Sequence, residues 1–118
     1  MRDFRQLKVW QRSHALVLTI YKLTNTFPAS EQYGLTSQMR RSSASIPTNL
    51  AEGCGRRTER ELAQFSQIAM GSASELEYQL LLAHDLEYLS AEQYRVTNTE
   101  LIEIKKMLNR FIATLRRA

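Results

Sequence analysis

Five arginines carry most of the chemistry this chain offers. Arg56, Arg57 and Arg60 crowd the start of an expected helix, and Arg40 and Arg41 stand side by side on the helix before it. Guanidinium forks match the geometry of phosphate, and the first turn of a helix presents free backbone N–H groups and positive potential. Cations are mildly unfavourable at that position, so an anion bound there would relieve the site. Phosphate contact is therefore the first chemistry to consider, with Arg40 and Arg41 extending the patch if they face the same way. The competing reading pairs these arginines with Glu52, Glu59 and Glu61 as an ordinary solvated surface.

Catalytic constellations are missing. A diiron bundle needs Glu-x-x-His pairs, but the residues three before His14 and His84 are Gln11 and Leu81. Gly53-Cys54-Gly55 is too short for a phosphate loop and is followed by Arg56, with no lysine and Ser/Thr at the required spacing. The Arg-x4-His pattern of one helical ribonuclease class would need arginine at Val9 or Gln79. Cys54 is the single cysteine, which excludes a disulfide framework and argues against a four-ligand zinc site. It has no histidine nearby in sequence to activate it. His14, between Trp10 and Val17, falls on an apolar side and is expected to be a hydrogen-bonded core histidine. The expectation is a protein that is not an enzyme, with no cofactor and no metal.

Helices must position these groups. Leu35, Met39, Ser42, Ile46 and Leu50 recur at steps of three and four, which places them on one buried helix face. Ser37, Ser43, Ala44, Ser45, Thr48 and Ala51 are small, so neighbours are able to approach this helix on more than one side. Pro47 deletes one backbone donor, at a cost of roughly 3 kcal/mol in a regular helix, and predicts a bend. Ser30 or Thr36 is the expected cap at the helix start, and Gly53 and Gly55 suit the left-handed conformation that ends helices. Before this helix, Leu7, Trp10, Val17, Ile20 and Tyr21 form the stripe of a first helix, Leu16, Leu23 and Phe27 widen it, and Pro28 stops the helix. After it, Thr58 followed by Glu61 is a capping box that opens a third helix. Its stripe of Leu62, Phe65, Ala69, Ala73, Leu76, Leu80 and Ala83 is exceeded by Ile68, Tyr78, Leu81, Leu82 and Leu86. Apolar residues around most of a helix imply a second burial partner, and in so small a protein another copy of itself is the natural one. Ser90 and Gln93 repeat the capping box and open a fourth helix carrying Tyr94, Leu101, Ile104, Leu108, Phe111 and Leu115. Lys105, Lys106, Arg110, Arg116 and Arg117 bias its carboxyl end positive, as the helix dipole favours.

The expected fold is all-α: one domain over 1–118, an antiparallel up-and-down four-helix bundle that is oligomeric, with helices at roughly 5–26, 35–53, 59–89 and 91–117. At 118 residues the chain is long enough to bury a core without disulfides or metal. No apolar run approaches the ~18 residues needed to span a bilayer, and the amino-terminal residues lack a signal-peptide apolar region. A cytoplasmic protein with no membrane partner is expected. A net charge of +4 permits an anionic partner without demanding one.

Several segments together resemble a known family. Phe4-x-x-Leu7-x-Val9-Trp10-Gln11, Phe27-Pro28, Tyr33 through Gln38, Arg40-Arg41, Asn49-x-Ala51-Glu52-Gly53-x-Gly55-Arg56 and Gly71-Ser72-x-x-Glu75-Leu76-Glu77 are similar to the bacterial 23S rRNA-intervening-sequence proteins, also called the four-helix bundle protein family. The resemblance covers nearly the whole chain through Leu89, and the fourth helix matches in pattern only. Its members are similar to the accessory variability determinant of diversity-generating retroelements, a basic barrel that binds nucleic acid and a reverse transcriptase. This chain is less basic than that protein. The resemblance implies a homopentamer and no catalytic residues. The leading expectation is a nucleic-acid-binding or scaffold protein using Arg40, Arg41, Arg56, Arg57 and Arg60 for sequence-independent phosphate contacts to RNA or DNA. The alternative is a protein–protein adaptor without nucleic-acid affinity.

Overall fold

The computed structural model describes residues 2–117, so Met1 and Ala118, which belong to the expected domain span, lie outside the described residues. Four α-helices account for most of the chain: α1 (Lys8–Thr24), α2 (Leu35–Cys54), α3 (Glu59–Asp85) and α4 (Ala91–Arg117). Short 3-10 turns at Phe4–Gln6 and Ala29–Glu31 precede α1 and α2, and no strand occurs among the described residues. The helices pack as a four-helix bundle measuring 45 × 23 × 20 Å, with α2 seated between α1 and α3, and α4 closing against α3 and α1.

Side-chain periodicity produces the core as expected for three of the helices. Leu35, Met39, Ser42, Ile46 and Leu50 of α2 are all buried, as are Leu62, Ala69, Ala73, Leu76, Leu80 and Ala83 of α3 and Leu101, Ile104, Leu108 and Leu115 of α4, while Phe65, Tyr94 and Phe111 of the expected stripes are half-buried. The first helix differs. Its buried line is Val9, Ser13, Leu16, Ile20 and Thr24, which keeps Leu16 and Ile20 of the expected face and turns away from Trp10, Val17 and Tyr21. Ser13 and Thr24 enter the core because their hydroxyls donate to the Val9 and Ile20 carbonyls at 2.6 and 2.7 Å, which satisfies both hydroxyl protons within the helix. Trp10 and Val17 are left half-buried, and Tyr21 and His14 are exposed on the outer side. His14 is thus no core histidine; it stacks on Trp10 with ring centroids 5.1 Å apart.

The helix ends show where local chemistry was decisive. Thr58 Oγ1 accepts from the Glu61 N–H at 3.1 Å, and at α4 the box is reciprocal: Gln93 N–H donates to Ser90 Oγ while Ser90 N–H donates to Gln93 Oε1. The α2 start has Gly34 as its cap residue, neither Ser30 nor Thr36, and the free Leu35 N–H donates instead to Glu31 Oε1 at 3.1 Å. Glu31 Oε2 accepts in turn from the Tyr88 hydroxyl at 2.9 Å, which pushes the Tyr88 phenol up and ties the α1–α2 and α3–α4 connections together. The third helix ends at Asp85, four residues before the expected boundary. Glu87 adopts φ 66°, and the Tyr88 and Glu87 N–H groups donate back to the Ala83 and His84 carbonyls, a Schellman ending without a glycine.

One expectation for α2 needs correction. No glycine among the described residues has positive φ, so Gly53 and Gly55 do not end the helix by a left-handed turn. Gly53 is instead a close-packing site, where an added Cβ would lie 2.8 Å from Leu62 Cδ1 and 2.9 Å from Phe65 Cβ. Pro47 is accommodated inside one continuous helix and is buried.

Candidate functional site

The turn between α2 and α3 is built by that Gly53 approach, which brings the last turn of α2 against the first turns of α3. The amino-terminal segment crosses the same turn: the Arg2 N–H donates to the Cys54 carbonyl at 2.9 Å, and its guanidinium pairs with Glu59 at 2.7 Å. Leu115 of α4 packs in one cluster with Cys54, Leu62 and Ala63, so the end of α4 arrives at the same place. The result is a cleft of about 380 Å³ lined by Glu59, Arg60, Ala63, Gln64, Leu115 and Arg116.

The five expected arginines divide into two groups. Arg56, Arg57 and Arg60 lie at this end of the bundle, all exposed. Arg56 is committed to the fold: it pairs with Glu52 at 3.1 Å and lies 4.9 Å from the centroid of the Phe65 ring. Arg57 and Arg60 form no ion pair or side-chain hydrogen bond with another described residue. Arg40 and Arg41 sit about 22 Å back along α2, at ~1.5 Å per residue, and do not extend the patch at the turn. Arg40 is half-buried and serves α1, donating to Thr24 Oγ1 and Asn25 Oδ1 at 2.9 Å while lying 4.6 Å from the Tyr21 ring centroid. Arg41 is exposed and lines a groove of about 670 Å³ along the α1–α2 seam, together with Tyr21, Tyr33, Ala44, Ser45 and Thr48.

Sequence reasoning assigned Arg116 to the solubilising end of α4, and the structure places it across the cleft from Arg60. A signal was present in the short connection between α3 and an α4 of equal length, which is compatible with the end of α4 lying beside the start of α3, where Leu115 clusters with Leu62 and Ala63. Glu59 and Glu61 in the first turn of α3 offset part of the charge, and Glu59 is already held by Arg2. The local excess is positive at the start of α3, and such an arrangement suits an anion.

Cys54 at the same turn is 1% exposed, and burial pushes its thiol up, with the Arg2 charge opposing the shift. Such a thiol is protonated at neutral pH and shielded from electrophiles. No helix among the described residues is long and apolar enough to cross a membrane.

The comparisons with known proteins agree with this fold. The family model described as 23S rRNA-intervening sequence protein matches residues 5–110. A solved structure of a protein of unknown function from the S23 ribosomal protein family of Bacteroides thetaiotaomicron superposes with a TM-score of 0.82 at 28% identity, covering 88% of this chain and 97% of that one. No curated protein matches the chain significantly. With the match running from before α1 well into α4, the chain belongs to the 23S rRNA-intervening sequence protein family.

Proposed function

We propose that this protein is a non-enzymatic, cytoplasmic helical bundle that assembles with copies of itself, in the pentamer its family resemblance implies, and contacts the phosphate backbone of RNA or DNA without reading sequence. An antiparallel up-and-down course of the four helices accounts for the way Gly53 meets Leu62, Ser45 meets Ser72 and Ser42 meets Gln79. The observation that carries the reading is the cleft at the basic end, where Arg60 and Arg116 converge from different helices beside the unpaired Arg57. Several such ends repeated by symmetry would add avidity to a weak single site.

Fluorescence anisotropy with labelled structured RNA and duplex DNA tests this directly. The Arg57→Ala/Arg60→Ala/Arg116→Ala variant is expected to bind more weakly while its mass in light scattering stays unchanged. Equal binding by the variant and the parent would remove these residues from the interface. The Arg56–Glu52 pair favours a second reading, a protein adaptor whose arginines serve solubility. That reading predicts no affinity for either nucleic acid even at low salt, with a stable protein partner retained from lysate.

A further inference from the structure

The α1–α2 seam and the outer ridge of α3 fit one another across two copies of the chain. The groove floor on α2 is made of small residues, Ala44, Ser45 and Thr48, with Arg41 exposed at its side and Tyr33, 91% exposed, at its mouth. The ridge on α3 runs through Ile68, Gly71, Glu75 and Tyr78 at steps of three, four and three, so these residues share one face. Ile68 and Tyr78 are 52% and 62% exposed although apolar or aromatic, and Glu75 forms no ion pair with another described residue. Gly71 is the least expected member. A glycine inside a helix costs about 1 kcal/mol relative to alanine. A Cβ at Gly71 would meet nothing within 4 Å of its own chain, so internal packing does not require the glycine. Close approach of another body would.

The register follows from one hydrogen bond. Ser72 Oγ donates to Ser45 Oγ at 2.8 Å, which puts these residues level along the bundle. Arg41 lies one turn beyond Ser45, and Glu75 about one turn beyond Ser72, in the same direction, because Ser42 next meets Gln79 at 2.5 Å. A neighbour related by rotation about an axis along the bundle therefore presents its Glu75 at the level of Arg41. Its Gly71 falls on the Ala44 and Ser45 floor, and its Tyr78 lies near the level of Ser42, on the Tyr33 side of that floor.

We infer that the α3 ridge of one copy docks into the α1–α2 groove of a second copy, with Arg41 pairing to Glu75 of the neighbour. This rests on the oligomeric reading above and adds to it the two faces that meet. Because the faces differ, the contact is head-to-tail and closes a ring when the rotation permits.

Light scattering across a concentration series separates the possibilities. The parent protein assembles. Gly71→Trp gives single-chain mass where the parent is assembled, with unchanged helical circular dichroism because its side chain points into open space. Arg41→Glu and Glu75→Arg each weaken assembly by at least about tenfold through like-charge contact, and the double swap Arg41→Glu/Glu75→Arg restores it. A parent that stays single-chain at every concentration overturns the oligomeric reading and this inference together. A parent that assembles alongside equally assembled Gly71→Trp and Arg41→Glu variants overturns the docking alone, as does a double swap that fails to restore assembly.

Discussion

The two ends of the bundle are built from the same kind of helix terminus and carry opposite charge. At one end, Arg2, Arg56, Arg57, Arg60, Arg116 and Arg117 outnumber Glu52, Glu59 and Glu61. At the other, Glu31, Asp85, Glu87 and Glu92 outnumber Lys22 and Arg95, with Arg95 already paired to Glu92 at 2.6 Å. A modest net charge of +4 thus conceals a polarised molecule, and polarity of this kind steers an anion toward one end. The ends also differ mechanically. The basic end is held by a glycine that no side chain replaces without a shift, whereas the acidic end holds a glutamate in a backbone region that favours glycine.

Reversing charge breaks the comparison most strongly. Arg57→Glu/Arg60→Glu is expected to weaken nucleic-acid binding by about 10- to 100-fold at 0.1 M salt, as anisotropy would measure, since each lost phosphate contact removes about 0.9 from the log–log salt slope. Glu92→Lys at the opposite end is expected to leave that slope unchanged. The mechanical difference gives the next effect. Gly53→Ala should destabilise the fold by about 1–3 kcal/mol in denaturant unfolding, because Leu62 and Phe65 must move to admit the methyl group. Glu87→Gly should do the reverse and stabilise by about 1 kcal/mol in the same assay, since it relieves the left-handed strain at φ 66°. The smallest expectation concerns Cys54: a thiol reagent should label it slowly in the native protein and rapidly in denaturant, because burial both shields and protonates it.

The contrast between the ends also marks what could be read in advance. Thr58 with Glu61 and Ser90 with Gln93 announce their helix starts by a local hydrogen-bond code, and both boxes form. The Glu87 ending has no such code, because its residue type disfavours the conformation that the fold imposes. The α1 face keeps Leu16 and Ile20 but exchanges Trp10 and Tyr21 for Ser13 and Thr24, because periodicity counts the aromatic pair as apolar and the hydroxyl pair as polar, while bonds to the helix's own carbonyls reverse that ranking. The candidate site was legible as a run of arginines. Its division was not: Arg40 is recruited by Thr24, Asn25 and Tyr21, all on or next to α1, and Arg116 arrives from α4. Contacts between distant segments decide such roles, and spacing along one helix carries no record of them.

The salt dependence of nucleic-acid binding to the parent protein, measured by anisotropy beside the Arg57→Ala/Arg60→Ala/Arg116→Ala variant, tests the central claim most directly. Affinity is predicted to fall linearly with salt on logarithmic axes, with the variant's slope shallower by about 0.9 for each duplex-DNA phosphate contact removed. Parallel slopes for the two proteins, or no binding by the parent at low salt, would contradict it.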